Sequence, residues 1–287
     1  MNTQEQSRKA EQLRQLHYGS RILVLPNAWD VISARLMEEV GYPVIATTSA
    51  GVAATIGYPD GQRTSRAEML EVVARIARAV RVPVTADMES GYGPTAKDMT
   101  ETARELVAAG AVGLNLEDVI REDAASQVEL PLQIEKIRAL CETSSELGVR
   151  LVVNARTDIY LLGIGPAETR FERTVERLRA YRAAGADCLF VPGLRDGETI
   201  AKLVKAVAAP VNVLIQPGCP AIAELQRMGV ARVSAGSGLV RAALGLVRRI
   251  AIEMRETGSY SSLLADSIPY AEVNRMLEKA PVSPQRS

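Results

Sequence analysis

The sequence is almost devoid of histidine, since His17 is the only one in 287 residues. This residue lies in a polar N-terminal segment with the pattern of a helix, so the body of the chain offers no histidine for a Ser-His-Asp or Cys-His site. A zinc site of the HExxH type is excluded for the same reason. The common hydrolase and zinc-protease mechanisms are therefore not expected.

Cysteine, net charge and long apolar runs are scarce as well. The three cysteines, Cys141, Cys188 and Cys219, have no CxxC spacing, which predicts a reducing compartment and no disulfide framework. The 34 Lys and Arg residues balance 34 Asp and Glu residues, so no nucleic-acid partner is expected. No apolar run approaches the ~20 residues that span a membrane, and the N-terminus lacks a signal-peptide core. We expect a cytoplasmic protein without a membrane partner.

Short β-branched runs alternate with helical patterns along the whole chain. The candidate strands are residues 21–28, 43–49, 83–89, 112–118, 151–158, 188–193, 211–218 and 231–238. Helical patterns lie between them, for example at 66–80 and 96–110, and several end in a glycine that is typical of a helix C-cap: Gly110, Gly148, Gly185 and Gly229. Eight such units predict a closed (β/α)₈ TIM barrel of the α/β class, with an open doubly wound sheet as the alternative.

The domain organisation follows from the same pattern. We expect residues 1–287 to form a single barrel domain, because a barrel of this kind often has this length. A helix within 1–19 and a helix with a frayed tail at 259–287 are predicted as appendages.

Polar residues gather at the predicted C-terminal ends of the strands, where barrels of this class carry their active sites. They are Thr48, Ser49, Asp87, Glu89, Glu117, Asp118, Asn154, Arg156, Asp158, Asn212, Gln216 and Ser234.

Three of these acids suggest a metal site. Asp87 and Glu89 are two residues apart on a predicted strand and would point to the same side, where Glu117 of the next strand can join them. Crowded carboxylates repel each other, and a hard cation relieves that repulsion. We predict Mg²⁺, with Mn²⁺ as a substitute. The alternative, which is favoured for Asp118 alone, is that such acids form caps and salt bridges at the barrel rim.

Other segments of this face allow more than one interpretation. The "GYGPTA" turn at 91–96 fits a dinucleotide fingerprint, but the neighbouring acids and Pro94 disfavour a pyrophosphate. Arg156 suits a carboxylate or enolate oxygen, or pairs with nearby acids. The turn of Thr48, Ser49, Ala50 and Gly51 could grip a carboxylate or be a plain loop. The "SAGSG" turn at 234–238 is similar to a phosphate cradle but contains no basic residue, and Cys219 is interpreted as a small loop residue.

An ordered set of motifs resembles one known group of enzymes. The segments "LPNAWD…SARL", "TSAGVAATIGYPDG", "ADMESGYG", "LNLED" and "NARTD" together resemble the isocitrate lyase / phosphoenolpyruvate mutase superfamily. The resemblance implies a Mg²⁺-dependent barrel that makes or breaks C–C or P–C bonds of 2-oxo and 2-hydroxy acids. It also implies a homo-oligomer, a dimer or tetramer, in which the C-terminal helix is swapped between subunits.

The resemblance implies a role for particular residues. Asp87, Glu89 and Glu117 match the metal-site acids, although aspartate is usual at position 89, and Asp60 matches an acid that reaches the metal through water. Thr48, Ser49 and Ala50 match the loop that binds the substrate carboxylate. Arg156 matches the arginine on the substrate oxygens, and Asn212 matches a distal substrate contact.

The departures from the family pattern reduce the number of reactions that are expected. The segment "VIREDAASQVELP" at 119–131 has no Cys, Lys, His or Asn, and the glutamate that the lyases carry after the sixth strand is absent. Both orthodox isocitrate lyase and orthodox mutase are therefore disfavoured, and the segment resembles a short-loop branch that includes oxaloacetate decarboxylases and 2-oxo acid binders. The leading hypothesis is a C–C lyase or decarboxylase acting on a small 2-oxo or 2-hydroxy dicarboxylate. P–C bond chemistry and a 2-oxo acid binding protein are the alternatives, and Tyr58, Tyr92 or Glu122 are candidate proton donors.

Overall fold

The computed structural model describes residues 1–120, 126–265 and 267–278 of the protein. Its strands are β1 (Leu23–Leu25), β2 (Asn27–Ala28), β3 (Ile45–Thr47), β4 (Val84–Asp87), β5 (Gly113–Glu117), β6 (Val119–Ile120), β7 (Ser126–Gln127), β8 (Val152–Arg156), β9 (Cys188–Val191), β10 (Val211–Leu214) and β11 (Arg232–Ser234). Every predicted strand region contains one of these strands.

Parallel pairing joins the strands into a closed ring, except β6 and β7, which form a separate antiparallel pair. β1 and β2 are the two halves of the first barrel strand, separated by Pro26, which has no N–H to contribute to a ladder. β1 pairs with β11 and β2 pairs with β3, while the ladder β3-β4-β5-β8-β9-β10-β11 completes the circle. The (β/α)₈ barrel is confirmed, and the open-sheet alternative is wrong because both edges of the first strand are paired.

Helices surround this ring. They are α1 (Thr3–Leu16), α2 (Val31–Val40), α3 (Ser49–Thr55), α4 (Arg66–Ala79), α5 (Ala96–Ala108), α6 (Leu130–Glu146), α7 (Ile159–Leu162), α8 (Arg170–Ala184), α9 (Gly197–Val207), α10 (Ile222–Arg227), α11 (Gly238–Thr257), α12 (Ser261–Ala265) and α13 (Tyr270–Glu278). Side-chain caps fix where α4 and α5 begin, because Ser65 with Glu68 and Thr95 with Asp98 form capping boxes. The predicted helices at 66–80 and 96–110 are confirmed. No helix in the described part of the chain is both long enough and apolar enough to cross a membrane.

Helix α1 closes the N-terminal end of the barrel. Gln6 donates from Nε2 to the carbonyls of Val107 and Ala111 at 2.8 and 2.9 Å, and Arg14 pairs with Asp187 at 2.9 Å. Leu13 is fully buried. The opposite, C-terminal end of the barrel is therefore the open one.

His17 lies at the end of α1 and is buried. Its Nδ1 is 2.8 Å from the carbonyl of Leu13 and must carry the proton, because a carbonyl oxygen only accepts. Burial, followed by the charge of Arg232, lowers the pKa of His17 to about 3. The only histidine is thus a neutral structural residue at the closed end of the barrel.

This burial predicts a pH-dependent stability. In the unfolded chain His17 binds a proton at its ordinary pKa of 6.5, whereas the folded chain binds it only near pH 3. The unfolded state therefore carries more protons between these values, and the free energy of unfolding falls as the pH is lowered, by up to about 1.4 kcal/mol per pH unit from this residue. Urea unfolding of wild type and His17→Gln at several pH values measures this dependence. An identical slope of the free energy of unfolding against pH in both proteins would contradict the assignment.

The C-terminal helix α13 packs against α2 of the same chain. Arg35 donates from Nε to the carbonyl of Met276 at 2.8 Å, Arg275 pairs with Glu39 at 2.7 Å, and Met276 is buried. The predicted tail helix is confirmed. Its exchange between subunits stays a prediction.

Candidate active site

A cavity of about 410 Å³ opens at the C-terminal ends of the barrel strands. Its lining includes Asn27, Thr48, Ser49, Ala50, Asp60, Asp87, Asn115, Glu117, Arg156, Phe190, Gln216, Ser234, Ser237 and Arg241. A larger groove of about 590 Å³ lies beside α1 at the other end and contains none of the predicted site residues. Seven of the twelve polar residues predicted at this end, Thr48, Ser49, Asp87, Glu117, Arg156, Gln216 and Ser234, thus line a cavity in the place where barrels of this class bind ligands.

Asp87 is the last residue of β4 and is held by donors from both sides. Its Oδ2 accepts from the backbone N–H of Ser49 at 3.0 Å and from the Ser49 hydroxyl at 2.9 Å. Its Oδ1 accepts from Nδ2 of Asn115 at 3.2 Å. The side chain is 7% exposed, so these bonds fix its orientation at the cavity wall.

Arg156 ends β8 and is clasped by two carboxylates. Its Nη1 lies 2.5 Å from Oε1 of Glu117, and its Nε and Nη2 donate to Asp158 at 2.6 and 3.0 Å. The guanidinium also lies over the ring of Phe190, 5.6 Å from its centre. Burial alone would lower the pKa of Arg156, but Glu117 and Asp158 outweigh burial and raise it above its usual value. Arg156 is a permanent cation.

Glu89 lies outside the lining of this cavity. Strand β4 ends at Asp87, and Glu89 has a left-handed backbone with φ of +48°. Strand alternation, on which the prediction of a common face for Asp87 and Glu89 was based, therefore does not extend to Glu89, and the common face stays a prediction. Tyr92 donates its hydroxyl to Oε1 of Glu89 at 3.4 Å, and burial followed by Glu89 raises the pKa of Tyr92.

The glycines of the "GYGPTA" turn allow close packing against α5. A Cβ at Gly91 would collide with Met99, and one at Gly93 would collide with Asp98. Thr95 and Asp98 already cap the helix that follows. The dinucleotide interpretation loses its support, because the helix N-terminus where a pyrophosphate would bind carries a carboxylate.

The N-cap and first turn of α3, which follow β3, place Thr48, Ser49 and Ala50 at the cavity, as predicted. One of its backbone donors, the N–H of Ser49, is used by Asp87. Gly51 is required for packing, since a Cβ there would lie 2.6 Å from Cγ2 of Thr48 and 2.9 Å from Cβ of Trp29. The turn both supports Asp87 and forms one wall of the cavity.

The remaining candidates are dispersed. Asp60 lines the cavity, but Tyr58 is exposed and its hydroxyl lies 3.5 Å from Glu68. Asn212 is fully buried beneath the cavity and donates to Ser234 Oγ at 3.0 Å. Cys219 lies outside the lining, and burial raises the pKa of its thiol.

One predicted proton donor cannot be placed. Glu122 lies outside the described residues.

Two features of the site were not foreseen. The N–H groups of Ala235 and Gly236, in the "SAGSG" turn, donate to Oδ1 of Asn27 at 2.9 and 2.8 Å, so they are already occupied. Arg241, on the first turn of α11, lines the cavity beyond that turn. The sequence does show a basic residue three positions after this turn. Whether that residue reaches the cavity depends on the direction in which α11 runs.

Asp118 supports the site from behind. It is fully buried and accepts from Arg177 at 2.8 Å, from the Tyr181 hydroxyl at 2.7 Å and from the backbone N–H of Asp158 at 3.0 Å. The expectation of a structural rather than a metal-binding role agrees with these contacts. Asp118 holds Asp158, which in turn holds Arg156.

Two acids of the cavity fit a divalent cation. Within residues 1–120, 126–265 and 267–278, no three Asp, Glu, His or Cys side chains form a group able to hold a metal. Mg²⁺ needs only one or two carboxylates when water and substrate oxygens complete its shell. Asp87 and Glu117, on adjacent strands at the same cavity, meet this requirement, whereas the three-acid set with Glu89 stays a prediction.

Comparison with known proteins places the chain in a family. A family model described as phosphoenolpyruvate phosphomutase matches residues 13–255. The chain belongs to this family. The resemblance to the isocitrate lyase / phosphoenolpyruvate mutase superfamily is therefore confirmed.

Three proteins to which this chain is similar illustrate the range of the family. An oxaloacetate decarboxylase of Rhodopseudomonas palustris is 30% identical over 279 residues, covering 91% of this chain and 92% of that protein. A Burkholderia cenocepacia structure provisionally described as a lyase/mutase is 38% identical with a TM-score of 0.89, covering 97% and 98% of the two chains. Oxaloacetate acetylhydrolase with its product oxalate is 27% identical with a TM-score of 0.84 and covers 94% of each chain.

Proposed function

We propose that the protein is a Mg²⁺-dependent enzyme that cleaves a C–C bond of a small 2-oxo or 2-hydroxy dicarboxylate, as a lyase or decarboxylase. The observation that carries this proposal is the cavity in which Asp87 and Glu117 lie beside the permanent cation Arg156. Two carboxylates suit a hard cation, and a guanidinium suits the oxygens of a 2-oxo acid. The oxaloacetate-cleaving relatives agree with this chemistry.

In this proposal Asp87 and Glu117 hold Mg²⁺, which when bound supplies a Lewis acid to the 2-oxo group. Arg156 uses three of its five N–H groups on Glu117 and Asp158. Its remaining donors can meet a substrate oxygen on which negative charge develops. The Glu117 and Asp158 contacts hold the guanidinium in place before substrate binds.

The proton requirements favour the simplest cleavages. No His, Lys or Cys lines the cavity in the described ranges, so a strong proton shuttle for a departing fragment is lacking there. Loss of CO₂ needs no proton on the departing group. A retro-aldol step needs a proton transfer, for which a weaker acid or base is enough. Decarboxylation and retro-aldol cleavage are therefore the reactions that we propose.

Incubation of purified protein and Mg²⁺ with oxaloacetate, malate-type and citrate-type acids tests this proposal. We expect a pyruvate-like product from at least one acid by NMR, and no product with Asp87→Asn. No product from the whole panel would overturn it. Tight binding of a 2-oxo acid without product, measured by calorimetry, would instead favour the binding-protein alternative.

P–C bond chemistry is the second candidate, favoured by the description of the matching family model. Asn27 argues against it, because it occupies the N–H groups of Ala235 and Gly236 that a phosphate cradle would use. We expect the ³¹P spectrum of phosphonopyruvate to remain unchanged after incubation with protein and Mg²⁺. A new phosphorus resonance would reverse this preference.

We also propose that the protein assembles as a homo-oligomer. The long helix α11, of 20 residues, exposes several apolar side chains: Leu244, Val247 and Met254 are 56%, 62% and 51% exposed. Contact with a second copy would remove these apolar side chains from water. Light scattering should give two or four times the 30.9 kDa chain mass, and Val247→Asp should lower it. A monomeric wild type would contradict this.

A further inference from the structure

A buried cation lies behind the wall of the cavity, in the interior of the barrel. Arg232 is the first residue of β11, and its side chain is fully buried. Its Nη2 donates to Oδ1 of Asn115 at 3.4 Å, and its Nε donates to the hydroxyl oxygen of Ser234 at 3.4 Å. Both partners line the cavity. Arg232 therefore contacts the cavity wall from inside the barrel without reaching the cavity itself.

Arg232 lacks the carboxylate partner that a buried arginine usually has. No Asp or Glu in the described part of the chain forms a salt bridge with it, and its Nη1 has no hydrogen-bond partner there. Its titratable neighbours Cys188 and His17 are neutral, because burial raises the pKa of the thiol to about 12 and lowers the pKa of the imidazole to about 3. A guanidinium stays protonated inside a protein. The charge of Arg232 is therefore not balanced by any group in direct contact.

One amide connects this cation to Asp87. Oδ1 of Asn115 accepts from Arg232 and also from Nδ2 of Asn154 at 2.8 Å. Nδ2 of Asn115 donates to Oδ1 of Asp87 at 3.2 Å. An amide can bond in either orientation, but a guanidinium only donates and a carboxylate only accepts. The two charged ends therefore fix the orientation of Asn115, and the charge of Asp87 acts on Arg232 across it.

We propose that Arg232 is a positioning residue that prepares the cavity for an anion: it fixes Asn115 against Asp87, and its charge weakens the binding of Mg²⁺ alone but strengthens the binding of a 2-oxo acid. This inference rests on the proposed function, in which Asp87 and Glu117 hold Mg²⁺ and the acid binds beside them. A positive charge in the interior, where water screens it little, repels a cation and attracts an anion. The two affinities should therefore respond to the loss of Arg232 with opposite signs.

Arg232→Met tests this assignment, since methionine is a long side chain without charge or strong donors. We expect titration calorimetry to show about tenfold tighter binding of Mg²⁺ alone, because Ser49 still holds Asp87 after the substitution. NMR titration at saturating Mg²⁺ should show about tenfold weaker binding of pyruvate, the smallest 2-oxo acid. This is the size expected of one charge acting through the protein at an effective dielectric constant of about 20. Arg232→Lys keeps the charge and should bring both affinities back toward wild type.

Arg35→Met is the matched control, because Arg35 is also a buried arginine but lies on α2 and outside the cavity lining. It should leave both affinities unchanged. Arg232→Met should fold, since no carboxylate loses a direct partner and an apolar residue replaces a buried charge. An Arg232→Met protein that does not fold, or whose two affinities do not change in opposite directions, would overturn the inference while leaving the proposed function intact. A wild type that fails to bind Mg²⁺ or pyruvate would overturn both.

Discussion

Replacing Arg156 by glutamine is expected to lower the free energy of unfolding by about 3–5 kcal/mol, because Glu117 and Asp158 would remain buried without this cation. Turnover should fall as well, by about 100-fold or more, since the charge beside the substrate oxygen is lost. Urea unfolding measures the first effect and steady-state kinetics the second. A stability loss below about 1 kcal/mol would contradict the buried ion-pair network.

Two comparisons separate these effects. Arg75→Gln removes an exposed pair with Glu71, in which both side chains are more than 60% exposed, and should cost less than about 1 kcal/mol. Adding Asp158→Asn to Arg156→Gln should recover part of the stability, because one of the unpaired carboxylates is then neutral. Arg156→Lys keeps the charge but loses the fork, so it should recover stability better than turnover.

Much of the fold could be predicted because its signals are local. The alternation of apolar runs with helical patterns, and glycines such as Gly110 and Gly185 at positive φ after helices, identify barrel units within short windows. Asp87, Glu117 and Arg156 could be placed at one cavity because parallel strands share their C-terminal edge.

The sequence is least informative where the outcome depends on one dihedral angle or on distant chain segments. Strand alternation stops short of Glu89 because β4 ends at Asp87 and the backbone of Glu89 is left-handed. Asp118 meets Arg177 and Tyr181, which lie 59 and 63 positions along the chain, and no short window contains such a pair. Arg241 reaches the cavity only because the eighth strand closes the ring beside the first.

Asp87→Asn should abolish Mg²⁺ binding and lower turnover by more than about 100-fold, since even a change to an outer-shell partner of a metal ligand costs about 10- to 100-fold. The substitution keeps the shape of the side chain but removes its charge. It also turns one oxygen into an NH₂ group, which would face either the donors of Ser49 or the amide of Asn115. Titration calorimetry with Mg²⁺ alone reports the loss without relying on turnover.

Glu89→Gln makes this experiment decisive, because the sequence predicts Glu89 as a third ligand while the structure places it outside the cavity lining. If Asp87 and Glu117 suffice, Glu89→Gln should retain Mg²⁺ affinity close to wild type, whereas Glu117→Gln should lose it together with Asp87→Asn. An equal loss in Glu89→Gln would show that the left-handed turn rearranges when the metal binds, restoring the three-acid site. Unchanged Mg²⁺ affinity in Asp87→Asn would exclude the proposed metal site altogether.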